Sequence, residues 1–276
     1  MDAIVIKKSV IEGYSKIAKR QKKSAFSKLF ACCDPDKVVE EVSHKIGYSS
    51  ADLQAVPEGA NMGIGCGNPL ALAKLKQGDI VLDLGAGAGF DCFLASPLVG
   101  ETGKVIGVDI TEEMVKRAKL NAQKGHYKNV EFLKGDIENL PISDNSVDII
   151  ISNCVLNLST NKGQVFAEAH RVLKNGGELT ISDIVLLEEL PDFIKNSVEG
   201  YVACIAGAEK IENYFVYAEK AGFSQIKVET KTTFPLELLM TDPIAQKIVS
   251  EFNMSEEQIN NIANSITSVT LSATKQ

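Results

Sequence analysis

Apolar and polar positions follow two alternating rhythms between Asp79 and Ile184. Near-continuous apolar runs predict buried strands at Asp79–Leu84, Lys104–Ile110, Val130–Lys134, Val147–Ser152 and Glu178–Ile184, the last entered through Asn175-Gly176-Gly177. Helical spacing occupies intervening segments such as Glu112–Lys124 and Lys162–Leu173. In the first of these, Met114, Val115, Ala118 and Ala122 share a face and Thr111 is placed as N-cap. Strands apolar on both faces, alternating with amphipathic helices, specify an α/β fold: a mostly parallel sheet with helices on both sides.

The flanks read differently. Val10, Ile11, Tyr14, Ile17 and Ala18 form one face of an N-terminal helix whose other face is rich in lysine. Gly59–Gly67 has poor helix and strand propensity and reads as a loop or lid. After the core, Pro191–Ala208 and Glu212–Ala221 read as helices and Gln225–Thr233 as a strand. Ser255–Ala263 reads as a helix and Ser268–Ala273 as a last strand, so the tail offers two late strands to the sheet edge. The expected organisation is a cap (1–70), a ligand-binding core (71–186) and a C-terminal extension (187–276).

Composition narrows the function. A net charge of −7 argues against a nucleic-acid binder. No secretory signal or bilayer-length apolar run is visible, so the expectation is a cytoplasmic chain without a membrane partner. Under that expectation the six cysteines read as thiols rather than structural disulfides. None sits in a CxxC pattern and only His44, His126 and His170 could assist, which argues against structural zinc.

The loop Asp83-Leu84-Gly85-Ala86-Gly87-Ala88-Gly89 follows the first strand. Ligands of an open parallel sheet bind beyond the carboxyl ends of its strands. A dinucleotide fingerprint, GxGxxG, would need a small residue at position 90, where this chain has Phe90. The pattern Asp-x-Gly-x-Gly-x-Gly instead resembles the S-adenosylmethionine loop of class I, Rossmann-like methyltransferases. Asp109 ends the second strand, where a carboxylate can accept both ribose hydroxyls, although NAD enzymes use a similarly placed acid. The resemblance places an adenine contact at Asp136 and Ile137 and further cofactor contacts at Ile110 and Asn153.

Cys92 falls on the helix after the loop and reads as a small buried hydrophobe. The other cysteines are placed otherwise. Cys154 directly follows the fourth strand in Ser152-Asn153-Cys154-Val155-Leu156-Asn157-Leu158. Cys66 lies in Gly65-Cys66-Gly67-Asn68-Pro69, Cys204 in the post-core helix, and Cys32 and Cys33 precede Asp34-Pro35. Gly65–Pro69, Asp83–Cys92, Val99–Asp109, Ser152–Leu158, Arg171–Asp183 and Cys204–Ala208 together resemble the arsenite methyltransferases over about residues 31–223.

The resemblance implies that S-adenosylmethionine is the cofactor and arsenite, or its thiol conjugates, the substrate. Cys154 and Cys204 would be the principal arsenic(III) ligands, and Cys66 a third ligand or redox partner. Either Cys32 or Cys33 would pair with Cys66, with thioredoxin or glutathione as the external reductant. Trivalent arsenic is soft and thiolate is the soft protein ligand, so the cysteine set suits this chemistry. The chain departs from the family at Phe90, Ile110 and Asn161; Gly13-Tyr14-Ser15 matches its start only loosely, and the tail beyond Thr230 matches weakly. The rivals are a methyltransferase for another small nucleophile, which would need a base such as His44, His126 or His170, and a thiol-based arsenic or metal sensor. An NAD oxidoreductase is disfavoured by Phe90.

Overall fold

The computed structural model describes residues 2–19, 35–233, 246 and 249–276; Cys32 and Cys33 lie outside them. In chain order, helices α1 (Ala3–Lys19), α2 (Pro35–Lys45) and α3 (Ser50–Ala55) precede the sheet. The alternating region follows as β1 (Ile80–Leu84), α4 (Phe90–Val99), β2 (Lys104–Asp109), α5 (Glu112–Lys124), β3 (Val130–Lys134), β4 (Val147–Asn153), α6 (Lys162–Val172) and β5 (Leu173–Leu186). The remainder is α7 (Asp192–Lys195), α8 (Val198–Val202), α9 (Ile211–Ala221), β6 (Phe223–Thr233), α10 (Glu256–Asn264) and β7 (Ile266–Lys275).

The strands form one seven-stranded sheet in the order β3-β2-β1-β4-β5-β7-β6. The first five pair in parallel; β7 runs antiparallel between β5 and β6. The strand order reverses at β1 and β4, and this is where a parallel sheet opens a crevice. Successive side chains of a strand go to opposite faces. Leu82, Leu84, Ile106, Val108 and Ile150 accordingly join one core with Phe166 and Tyr214. Val81, Val105, Ile149 and Ile151 join the other with Cys92, Phe93 and Phe132. Each such fully buried side chain contributes roughly 1.5–3 kcal/mol, which fixes strand register and hence the alignment of the strand ends.

The expected α/β sheet with helices on both faces is present, and both late strands join it. Three local expectations differ. The fifth strand begins at Leu173 and runs through the Asn175-Gly176-Gly177 segment, because Leu173 pairs with Val147 before the register shifts. Pro191–Ala208 is not one helix: α7 ends at Lys195, Ser197 caps a new helix by accepting from Gly200 N–H, and α8 ends at Val202. Thr111 stands at the N-terminus of α5 without a side-chain cap bond; its backbone N–H instead donates to Asp109 Oδ1 at 2.8 Å.

Candidate active site

A cleft opens at the carboxyl ends of β1, β2 and β4. Of the residues predicted from the sequence, Asp83, Gly85, Ala86, Gly87, Asp109, Ile110, Asp136, Ile137 and Asn153 line it, and so does Cys154. Gly89 does not: with φ 95° it starts α4 instead. Gly85 has φ +69°, and a Cβ there would lie 2.3 Å from Val155 Cγ2, so no side chain fits between the loop and the segment after β4. The loop is also tied to β2, since Gly87 N–H donates to Asp109 Oδ2 at 2.9 Å.

The electrostatics of the cleft favour a cation. Burial raises the pKa of Asp83 well above the carboxylate range and the charge of Asp91 raises it further; the Cys92 thiol, donating to Oδ2 at 3.2 Å, acts the other way. Burial also raises Asp91, against hydrogen bonds from Tyr48 and Asn153, and Asp109, against the backbone donors Thr111 and Gly87. Buried carboxylates of one sign are relieved by a positive ligand. This set of acceptors fits the ammonium and ribose hydroxyls of the expected cofactor.

The thiols converge beside this cleft. Cys66, Cys154 and Cys204 share one buried apolar cluster with Ile184, Leu186 and Ile205. Cys204 Sγ donates to the Cys154 carbonyl at 3.2 Å, while Cys66 Sγ (3.6 Å) and Cys154 N–H (2.8 Å) both donate to the Ser182 carbonyl. The Cys66 and Cys154 sulfurs lie within 4.8 Å of each other. Cys154 lines the cleft; Cys66 and Cys204 lie behind it, 3% and 4% exposed. Cys204 sits in the turn after α8, not on a helix as expected. Both Cys154 (φ 58°) and Cys204 (φ 60°) are left-handed, a conformation that costs a non-glycine residue about 1–2 kcal/mol. Surroundings must hold such strain, and it gathers at functional sites.

Those surroundings explain much of the motif chemistry. Asn153 Oδ1 accepts from Cys66 N–H (3.0 Å) and Gly67 N–H (3.3 Å), while its amide donates to Gly67 O, Tyr48 Oη and Asp91 Oδ2. A Cβ on Gly67 would lie 2.7 Å from Ser182 Cβ, so glycine lets this loop press against β5. Asn157, fully buried, donates to Ile184 O at 2.7 Å and accepts from Tyr214.

The description "Methyltransferase domain" matches residues 75–263. An arsenite methyltransferase of Halobacterium salinarum is 44% identical over 200 residues, 72% of this chain and 51% of the relative. That of Mus musculus is 37% identical over 246 residues, 86% of this chain and 62% of the relative. The solved arsenic(III) S-adenosylmethionine methyltransferase of Chlamydomonas reinhardtii is 30% identical with a TM-score of 0.60, covering 84% of this chain and 72% of that one. The chain belongs to the arsenite methyltransferase family. It spans only 51% and 62% of the length of the Halobacterium and mouse relatives.

Two residues of this arsenite methyltransferase family member are given no role by the sequence. Tyr14, on α1, places its hydroxyl 3.4 Å from Cys204 Sγ and donates to Val202 O at 3.4 Å. Its position on the apolar face of α1 was visible; its distance in sequence from Cys204 hid the contact. Asp183, fully buried, accepts from Tyr214 Oη at 3.1 Å, and a carboxylate oxygen lies within 4.8 Å of the Cys66 and Cys154 sulfurs. Burial raises its pKa to about 7 against the opposing charge of Lys162. The histidines are elsewhere: none of the three lines the cleft, and His170 packs edge-on against Phe223 at 5.2 Å.

Proposed function

We propose that the chain is an S-adenosylmethionine-dependent methyltransferase whose substrate is trivalent arsenic bound by Cys66, Cys154 and Cys204. The observation that carries this reading is the convergence of three thiols from three separate segments beside a carboxylate-lined cleft. Cys154, at the cleft wall, is the ligand nearest the donor side.

The state of the thiols suits arsenite. Burial raises Cys66; the neighbouring Cys154 thiol and burial raise Cys204 well above the ordinary range. At Cys154 the neighbouring Cys204 thiol favours the thiolate but is outweighed by the Cys66 thiol and by burial. The thiols are therefore protonated near neutrality. Arsenous acid is largely uncharged and brings three hydroxyls. Each arsenic–sulfur bond forms as an arsenic–oxygen bond breaks, and the thiol proton leaves with the hydroxyl as water. No charge is created in the buried cluster, whereas burying an unpaired thiolate would be costly.

S-adenosylmethionine, when bound, supplies a methyl group made electrophilic by its sulfonium, toward which the arsenic lone pair acts as nucleophile. That lone pair carries no proton, so no general base is required, in keeping with a cleft without histidine. Asp83 would accept from the cofactor's ammonium and Asp109 from its ribose hydroxyls, and Asp136 and Ile137 would hold its adenine. Asn153 fixes the Cys66 loop. The cluster's task is alignment, which can supply roughly 7–11 kcal/mol of a barrier.

Methyl transfer formally oxidises arsenic, and two electrons restore the trivalent state. Cys66 and one of Cys32 or Cys33 would provide them by forming a disulfide, which an external thiol of the thioredoxin or glutathione type then reduces. The expected setting is the cytoplasm; no described helix is long and apolar enough to cross a membrane. The test is turnover in S-adenosylmethionine, arsenite and a thiol reductant, followed as S-adenosylhomocysteine. Formation that requires arsenite is expected; formation indifferent to arsenite rejects the substrate.

A further inference from the structure

Arsenite is served by sulfur alone, yet the cluster also contains a carboxylate. The Cys66 and Cys154 sulfurs and an Asp183 oxygen all lie within 4.8 Å of one another, and all three residues are buried. The geometry points to a second ligand class for this site: a thiophilic divalent cation, Zn²⁺ or Cd²⁺, held by Cys66, Cys154 and Asp183, which displaces arsenite from the shared thiols.

Coordination chemistry separates the two ligands. Trivalent arsenic takes three soft donors and keeps a lone pair, so it has no use for a hard carboxylate oxygen. Zinc is tetrahedral and accepts sulfur at about 2.3 Å and carboxylate oxygen at about 2.0–2.2 Å. Those bond lengths set ligand atoms roughly 3.5–3.8 Å apart, which the 4.8 Å span of the three groups accommodates with small side-chain movement. The fourth position is left to solvent, since Cys204 donates instead to the Cys154 carbonyl at 3.2 Å. On binding, the cation exchanges bound waters for two sulfur bonds and one oxygen bond, and the two thiol protons, together with that of Asp183 where it is held, pass to solvent. The negative charge left on the complex is partly met by Lys162, a buried ammonium that acts on Asp183, pairs with Glu209 at 3.2 Å and donates to Gly207 O at 2.6 Å.

Asp183 is held ready for this role. Tyr214 from α9 and the Ile184 N–H of β5, the latter at 2.9 Å, fix its carboxylate. The cation site does not need arsenite to be the substrate; only the competition rests on that reading.

The experiment titrates the reduced, full chain with Cd²⁺ alone and follows the ultraviolet thiolate-to-cadmium charge-transfer band, with Zn²⁺ affinity taken from competition with a chromophoric chelator. One cation per chain with at least two thiolates is expected. Asp183→Asn should weaken Zn²⁺ at least tenfold, and Cys66→Ser should reduce the cadmium band. Zinc should compete with arsenite in turnover, and its inhibition constant should rise at least tenfold in Asp183→Asn. No saturable band, a band unchanged in Cys66→Ser, or equal zinc affinity in folded Asp183→Asn would overturn the site. If turnover proves independent of arsenite, the cadmium titration still decides the cation question by itself.

Discussion

Cys154 and Cys204 carry the proposed chemistry, and each sits on a strained backbone held by neighbours. Cys154→Ser or Cys204→Ser removes one soft donor and shifts arsenic relative to the donor site. Misplacement on that scale costs about 100-fold, so arsenite-dependent turnover should fall by that order in either variant; undiminished turnover rejects the ligand role. Tyr14→Phe is a finer probe. It removes the hydroxyl beside Cys204, and a net hydrogen bond of about 0.5–1.5 kcal/mol implies a fall of roughly 2- to 12-fold in kcat/KM for arsenite. Calorimetric affinity for S-adenosylmethionine should stay the same, because the contact lies at the thiol end. At this scale the sequence showed types and positions: the glycine register, the acids ending the strands and the thiol-bearing segments. It hid whatever depended on distant partners. Asp183 looked like one more polar residue at a strand's end until β5 brought it beside two sulfurs.

The element of greatest consequence outside the sheet is α1. It packs on α5 and α8, and Lys7, Val10 and Tyr14 from it line the cleft. Lys7 Nζ reaches Asp136 and Glu138, each at 2.6 Å, so one side chain fastens the helix to the loop after β3. Tyr14 fastens it to the turn after α8. The helix thus bridges the expected adenine end and the thiol end. Lys7→Met should raise hydrogen exchange of the α1 amides about tenfold, the equivalent of losing ~1.4 kcal/mol of partly buried, charge-assisted bonding. Unchanged exchange would mean that α1 is held by its apolar face alone. The amphipathic pattern showed that α1 exists but not where it docks, because a face pattern does not name its partner. The break between α7 and α8 was missed for a related reason. Helical spacing continues across it, but α7 closes at its C-cap Asn196 and Ser197 caps the start of α8.

Across the whole molecule, buried acids make stability depend on pH in an unusual direction. Asp183 has a folded pKa of about 7 against an ordinary 3.8, so the folded state holds its proton more tightly than the unfolded chain. Its contribution is complete below the ordinary value and lost as pH rises through about 7. Asp83, Asp91 and Asp109, also raised by burial, act with the same sign. Glu138 and Glu168 are lowered despite burial, by Lys7 and Arg171 among their partners, and act oppositely as pH falls below the carboxylate range. Chemical denaturation of the ligand-free protein should therefore show stability declining from about pH 5 to about pH 8, with a shallower decline in Asp183→Asn. A profile rising across that window would contradict the placement of these acids.

The proposed chemistry requires three sulfurs to meet at one atom. X-ray absorption at the arsenic edge, on reduced protein loaded with one equivalent of arsenite, counts the neighbours directly. Three sulfur neighbours and no oxygen are expected, falling to two sulfurs in Cys204→Ser. Arsenic that keeps its oxygens, or whose sulfur count does not change in that variant, would contradict it.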